Sequence, residues 1–209
     1  MAKLKPKSKT TDDSATRRQI LRAAVKRFAH AGYTAASVQQ IVDDAKVSKP
    51  ALYYYFKDKA GLFRALVHEA HDERYRLLQA AAARGTGIRQ QLEEILVVLF
   101  AYVHENRELM RLAFATMFAA PGELPADLCH KDKCERNFEF VHSIIKHAQQ
   151  AGELNKQFDS QKLAISFYGV ANFYLVSHLV CPDFVTDKKV AARVVDLFLS
   201  GASAKRRAR

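Results

Sequence analysis

Only three residues, Lys46-Val47-Ser48, separate an apolar helical pattern ending at Ala45 from the next one beginning at Lys49. A connection that short admits nothing but a tight turn, and two short helices joined by it form a bent pair rather than a long hairpin. Ser37 and Gln40 have capping-box spacing and predict that the first of the pair opens there, with Val38, Ile41, Val42 and Ala45 inward. Ser48 can cap the second, and Pro50 is tolerated because first-turn amides lack an intrahelical acceptor. That second helix is predicted over Lys49 to Tyr55, with Leu52 and Phe56 pinning it to a core.

The flanking sequence supplies the brace. Ile20, Leu21, Ala24, Val25 and Phe28 recur at three- and four-residue spacing, which predicts an amphipathic helix from Ala15 to Ala31-Gly32. Asp58 can cap a fourth helix that carries Leu62, Phe63, Leu66 and Val67 inward and runs towards Ala83, where Arg84-Gly85-Thr86-Gly87 breaks it. Further helices are expected at about 88–105, 107–119, 126–151, 159–180 and 186–201, with no strand-like alternation and no internal repeat. The expected fold is all-α: a basic disordered arm over 1–14, a three-helix helix-turn-helix domain over 15–66, and a helical domain over 67–209.

Charge is distributed unevenly. The whole chain carries +11, and through position 59 there are thirteen Lys and Arg against five Asp. A basic head on a nearly neutral, apolar body suits phosphate attraction at one end and another task at the other, although a soluble basic surface is the plainer alternative. Cys129, Cys134 and Cys181 are odd in number and lack CxxC spacing, so neither a disulfide framework nor a zinc finger is indicated. The Lys-rich start leads into no apolar signal core, and a cytoplasmic protein is expected. Leu163 to Pro182 contains no Asp, Glu, Lys or Arg and has the length of a membrane span. Ser166, Gly169, Asn172, Ser177 and His178 interrupt it, so a buried core helix and no membrane partner is the preferred reading.

A helix-turn-helix can place its second helix in the DNA major groove. Here Leu52 and Phe56 face inward while Lys49, Ala51, Tyr54 and Tyr55 remain available outward. Three consecutive tyrosines cannot share one buried face, and their hydroxyls suit phosphate or base-edge hydrogen bonds. Packing aromatics in a small core, on a generic helical hairpin, is the alternative. No GxGxxG, P-loop, HExxH or GxSxG arrangement is present, which argues against an enzyme and against a cofactor. His130 and Cys134, four apart, with Cys129 and His104 nearby, are a chance pair rather than a metal centre, and no metal is expected.

The stretch from Phe28 to Lys59 resembles the DNA-binding domain of the TetR family of regulators. The similarity rests on Phe28, Gly32-Tyr33-Thr34, Val38, Ile41, Ala45, Val47-Ser48-Lys49, Leu52-Tyr53, Phe56 and Lys59, and covers about 15–66. It implies that Tyr53 and Lys59 hold phosphates and that Lys49, Pro50, Ala51, Tyr54 and Tyr55 face bases, with Ser37 or Gln39 assisting. Ser48 and Lys57 join the expected DNA-binding set. Lys46 stands where the family usually has Gly. A left-handed conformation would cost it roughly 1 kcal/mol, so a slightly reshaped turn is expected, with Lys46 adding a phosphate contact.

The body resembles the family in architecture alone. The resemblance implies a homodimer on a palindromic operator of double-stranded DNA, formed by the last two helices through Tyr174, His178, Val190, Val194, Leu197 and Phe198. Ordinary intrachain core is the alternative for each stripe. Phe100, Met110, Phe114, Met117, Phe118, Phe138, Phe167, Tyr168, Asn172 and Phe173 are candidates to line a pocket for a small apolar or amphipathic effector. Repression relieved by that effector is the expected mode of action.

Overall fold

The computed structural model describes residues 9–202 except 121, 127, 129, 130 and 182. Among these residues it contains nine helices: α1 (Lys9–Ala35), α2 (Val38–Ala45), α3 (Lys49–Phe56), α4 (Lys59–Ala82), α5 (Ile88–Glu105), α6 (Arg107–Ala115), α7 (Lys131–Gln150), α8 (Ser160–Val180) and α9 (Lys188–Ala202). They divide into two compact units, one formed by the chain up to Val67 with Arg111–Leu128, the other by His68–Met110 with the chain from Cys129. In its first pass the chain leaves the first unit at Val67, and residues 111–128 return to it.

The first unit is built on one apolar cluster. Ile20, Leu21, Ala24 and Phe28 of α1 meet Ile41, Val42 and Ala45 of α2, Leu52 and Phe56 of α3, Leu62, Phe63, Leu66 and Val67 of α4, and Leu112 of α6. Phe63 takes edge contacts from Phe28 and from Tyr33, each with ring centroids 5.1 Å apart, a preferred geometry for aromatic pairs. Gly32 has φ 75° and ψ 171°, so helical backbone stops where expected and resumes for a short turn.

Three boundaries differ clearly from the sequence reading, one of them the start of α7, which opens at Lys131 and not at 126. Helix α1 begins at Lys9 rather than Ala15, so residues 9–14 are helical and not part of an arm. Asp13 falls in its early turns, where the helix dipole favours negative charge, and accepts a hydrogen bond from the Tyr55 hydroxyl. The rest of the arm, residues 1–8, lies outside the described residues. Helix α6 stops at Ala115 instead of 119 because Thr116 turns its hydroxyl onto the Ala113 carbonyl at 2.7 Å, a bond that competes with helix continuation.

In the second unit α5 packs on α8 and α9, and α7 on α8. Its core gathers Leu92, Ile95, Leu96 and Leu99 with Val141, Ile145, Ala164, Phe167, Leu175, Val194 and Val195. Gln149, buried at the end of α7, donates to the carbonyls of Asn155 and Phe158, both at 2.8 Å, and so ties down the loop before α8. Among the described residues α8 alone is long and apolar enough to cross a membrane. Leu163, Ala164, Phe167, Ala171, Leu175 and Leu179 on it are instead buried within the unit.

Candidate nucleic-acid interface

Both helices of the bent pair are capped as expected. Ser37 Oγ accepts from the Gln39 amide at 3.2 Å and Ser48 Oγ from the Ala51 amide at 3.3 Å. Each serine keeps its own O–H to donate outward. Lys46 takes φ 53° and ψ 43°, fully left-handed, and its amide bonds the Asp43 carbonyl at 3.1 Å. The turn is therefore not reshaped to suit lysine. The lysine is strained to suit the turn, at about 1 kcal/mol.

Helix α3 is held from beneath by Leu52, fully buried, and Phe56. The side chains this leaves outward are Lys49 and Pro50, with Tyr53 at 45% and Tyr54 at 76% exposure. Among the described residues Lys46, Lys49 and Lys57 make no ion pair, so their charge is available to a phosphate backbone. Ala51 is half-buried. Gln39 is exposed but hydrogen-bonds Asp43 Oδ1 at 2.7 Å within α2.

Two expected contacts are placed differently. Tyr55 lies against α1 and donates to Asp13, and this hydrogen bond with burial pushes its phenol pKa up. Lys59 turns its ammonium under α1 and α2, donating to the carbonyls of Thr34 at 3.0 Å and Ala36 at 3.1 Å, and sits 4.7 Å over the Tyr33 ring. An ammonium has three donors, so one remains for a phosphate while two close the Thr34–Ala36 linker.

The exit from α3 is tight. Lys57 has φ 64° and ψ −48°, and the Asp58 amide bonds the Phe56 carbonyl two residues back at 2.7 Å, which is a rare and strained γ-turn. Asp58 then caps α4 through the Gly61 amide at 2.6 Å. A Cβ on Gly61 would lie 2.1 Å from the Phe56 carbonyl oxygen, so only glycine lets the two helices approach this closely.

Sequence reasoning did not single out Arg22 and Lys26. They line, with Gln19, Asp44 and Lys46, a cleft of about 570 Å³ beside the turn. Their i, i+4 spacing on the polar face of α1 was the available signal. Arg27 holds Asp44 by paired hydrogen bonds of 2.5 and 2.7 Å, and these keep that carboxyl below the usual carboxylate range. The cleft's one acid is thus already spoken for.

Elsewhere the expected sets divide. Of the pocket candidates, Phe100, Met110 and Phe167 are core, and Phe173 is 70% exposed. Phe114, Met117 and Phe118 belong to the first unit, with Met117 and Phe118 exposed. Phe138, Tyr168 and Asn172 do come together: Phe138 is 5.6 Å from Tyr168, whose ring lies under Arg74, and Arg74 donates to Asn172.

Of the dimer candidates, Val194 is core, Phe198 packs on Phe167, Tyr174 lies near Phe100 and Phe184, and His178 is buried with Nδ1 2.9 Å from the Phe184 carbonyl. Val190 is half-buried, and only Leu197, at 69%, faces fully outward. Ile165, Phe173 and Val180 of α8 are exposed as well. Cys129 and His130 fall outside the described residues, and Cys134 Sγ lies 3.7 Å from His71 Nε2. Among the described residues no group of three or more His, Cys, Asp and Glu side chains is placed to hold a metal ion.

A capped three-residue turn, a groove-sized helix with its polar face outward and a surrounding set of unpaired cations define a helix-turn-helix DNA-binding head. Residues 20–66 match the family of bacterial regulatory proteins described as the tetR family. Residues 20–66 thus carry the DNA-binding domain of the TetR family, a family of transcription regulators. It is similar to the HTH-type transcriptional regulator YuxN of Bacillus subtilis, with 30% identity over 60% of this chain and 43% of that protein. The match thus spans less than half of that relative's length. To the HTH-type transcriptional regulator AcrR of Shigella flexneri it is 25% identical over 88% of this chain and 87% of that one. In fold it is similar to FadR of Bacillus subtilis, solved in complex with stearoyl-CoA, with a TM-score of 0.76, 18% identity, and coverage of 88% and 98%.

Proposed function

We propose that this protein is a homodimeric repressor that binds operator DNA through α3 and is released when an apolar or amphipathic organic molecule enters its helical body. The observation that carries the DNA reading is the anchoring of α3 by Leu52 and Phe56 with Lys49, Tyr53 and Tyr54 outward. A rigid helix with exposed donors can read base edges, and the cations around it supply the salt-dependent attraction. Dimerisation is supported by the exposed apolar side chains of Ile165, Phe173, Val180 and Leu197, which a monomer would leave in water. Gly169 lies between Ile165 and Phe173 in α8, and a Cβ there would meet nothing within 4 Å. A helical glycine with no intrachain reason suits close approach by a second copy. That FadR was solved with stearoyl-CoA supports an effector with a long apolar part.

The test is selection of bound fragments from genomic DNA, followed by affinity measurements across salt concentrations. Lys49→Ala and Tyr54→Ala are expected to cost about 1–3 kcal/mol and to relax operator preference. Tyr53→Phe is expected to weaken all sequences about equally. Preference left intact by both alanine variants would remove α3 from the base-reading role.

A further inference from the structure

Arg74 occupies a position in α4 where helical spacing calls for an apolar side chain: Ala70, four residues before it, and Leu78, four after, are both buried. Its Nε is closed off from solvent and has no hydrogen-bond partner among the described residues. One Nη reaches Asn172 Oδ1 at a long 3.4 Å, and the guanidinium lies 5.5 Å over the Tyr168 ring. No described carboxylate forms an ion pair with it.

The cations nearby in sequence or space are all matched. Lys133 and Arg136 share Asp72 at 2.6 and 2.8 Å, and Arg76 takes Glu73 at 2.5 Å. The acids of this stretch of α4 are therefore engaged, and Arg74 alone among these cations is left without a counter-charge. A partly buried guanidinium in that state is costly, and it is worth keeping where something anionic comes to meet it. The Tyr102 hydroxyl from α5 has no hydrogen-bond partner among the described residues and is not sealed from solvent. Burial, with the Glu73 charge, pushes the Tyr102 phenol up to about 12, so it remains a neutral donor. Phe138 of α7 and Tyr168 of α8 supply aromatic surface beside these donors.

We propose that Arg74 anchors the carboxylate of an amphipathic organic anion whose apolar part lies along Phe138 and Tyr168, with Tyr102 as a second donor to that carboxylate. This rests on the reading that the helical body binds an organic effector, and it names the effector's chemical class. A carboxylate fits because an arginine edge offers two parallel N–H donors to two oxygens.

The test uses the full-length protein and matched pairs of probes, saturated carboxylates of six to sixteen carbons against the alcohols of equal length, with acetate as the head alone. Calorimetry is expected to give the carboxylate at the best chain length an affinity at least about tenfold above its alcohol, as a charge-assisted pair should provide. Acetate should not bind. Arg74→Met should lower carboxylate affinity by a similar factor and leave the alcohol within about twofold, and Arg74→Lys should lie between. Without ligand, Arg74→Met should melt no lower than the wild type. Equal affinity for acid and alcohol, or a carboxylate affinity untouched by Arg74→Met, would overturn the anion claim and leave the organic-effector reading standing. A lower melting temperature in Arg74→Met without ligand would make Arg74 a structural residue, and acetate binding as tightly as the long acids would make the site one for small anions. Absence of binding by every pair, with operator affinity unmoved, would overturn both readings.

Discussion

Gly61→Ala sets helix propensity against packing, and the two predict opposite signs. Position 61 lies in the first turn of α4, where exchanging Gly for Ala should by propensity alone stabilise the fold by about 1 kcal/mol. In the structure the new Cβ would lie 2.1 Å from the Phe56 carbonyl oxygen, whereas such contacts essentially never fall below 3.0 Å. About 0.9 Å must be found by moving backbone, since the obstacle is a carbonyl and not the end of a flexible side chain. That carbonyl also accepts the 2.7 Å bond of the γ-turn, so the movement stretches a hydrogen bond worth roughly 1 kcal/mol. Overpacking of this kind costs about 1–3 kcal/mol. The net expectation is a loss of roughly 1–3 kcal/mol, with weaker operator binding because Phe56 closes the helix that carries Tyr53 and Tyr54. Urea unfolding followed by far-UV circular dichroism measures the stability, and amide exchange across residues 49–66 localises the loss. A variant as stable as the wild type, or more stable, would refute the reasoning.

Lys46→Gly should relieve the left-handed strain and raise stability by up to about 1 kcal/mol, while lowering the dependence of DNA affinity on salt by roughly one phosphate contact; the two readouts should move in opposite senses. Lys59→Met should cost about 1–3 kcal/mol in urea unfolding, because two linker carbonyls lose their donor, and a variant with unchanged stability but a shallower salt slope would return Lys59 to a purely phosphate-binding role. Phe173→Glu combined with Leu197→Glu should give a monomer in sedimentation velocity at micromolar concentration and abolish operator binding, whereas a persistent dimer would place the interface elsewhere.

The head was legible in the sequence because its constraints are local. Ser37, Ser48 and Asp58 announce helix starts by their own hydrogen bonds, and Leu52 with Phe56 can face only one way on a helix this short. What the sequence hid were contacts between elements distant in the chain: Lys59 reaching the Thr34 and Ala36 carbonyls, or Tyr55 meeting Asp13. In the body, α8 carries apolar residues on more than one face, so periodicity could not tell which one meets its own core. Val194 and Leu197 have the spacing of one stripe, and the structure turns the first inward and the second outward. Arg74 is hidden from an apolar pattern by its charge, yet its four-residue spacing from Ala70 and Leu78 is visible in the sequence.

The return of residues 111–128 to the first unit makes this a discontinuous module, which bears on how such proteins can be recombined. Leu112 belongs to the same apolar cluster as Phe28 and Phe63, and Leu124 and Leu128 pack against it. A hybrid regulator made by grafting residues 1–67 onto a foreign body would bring the DNA-reading surface but leave this seat to be filled by whatever the new body supplies at the equivalent loop. Chimeras joined at that single point should express poorly or bind their operator weakly, and a second exchanged segment spanning 111–128 should restore both. Exchange of specificity between relatives is then a two-cut operation, and substitutions in the later segment can alter a head from which they are more than forty residues removed in sequence.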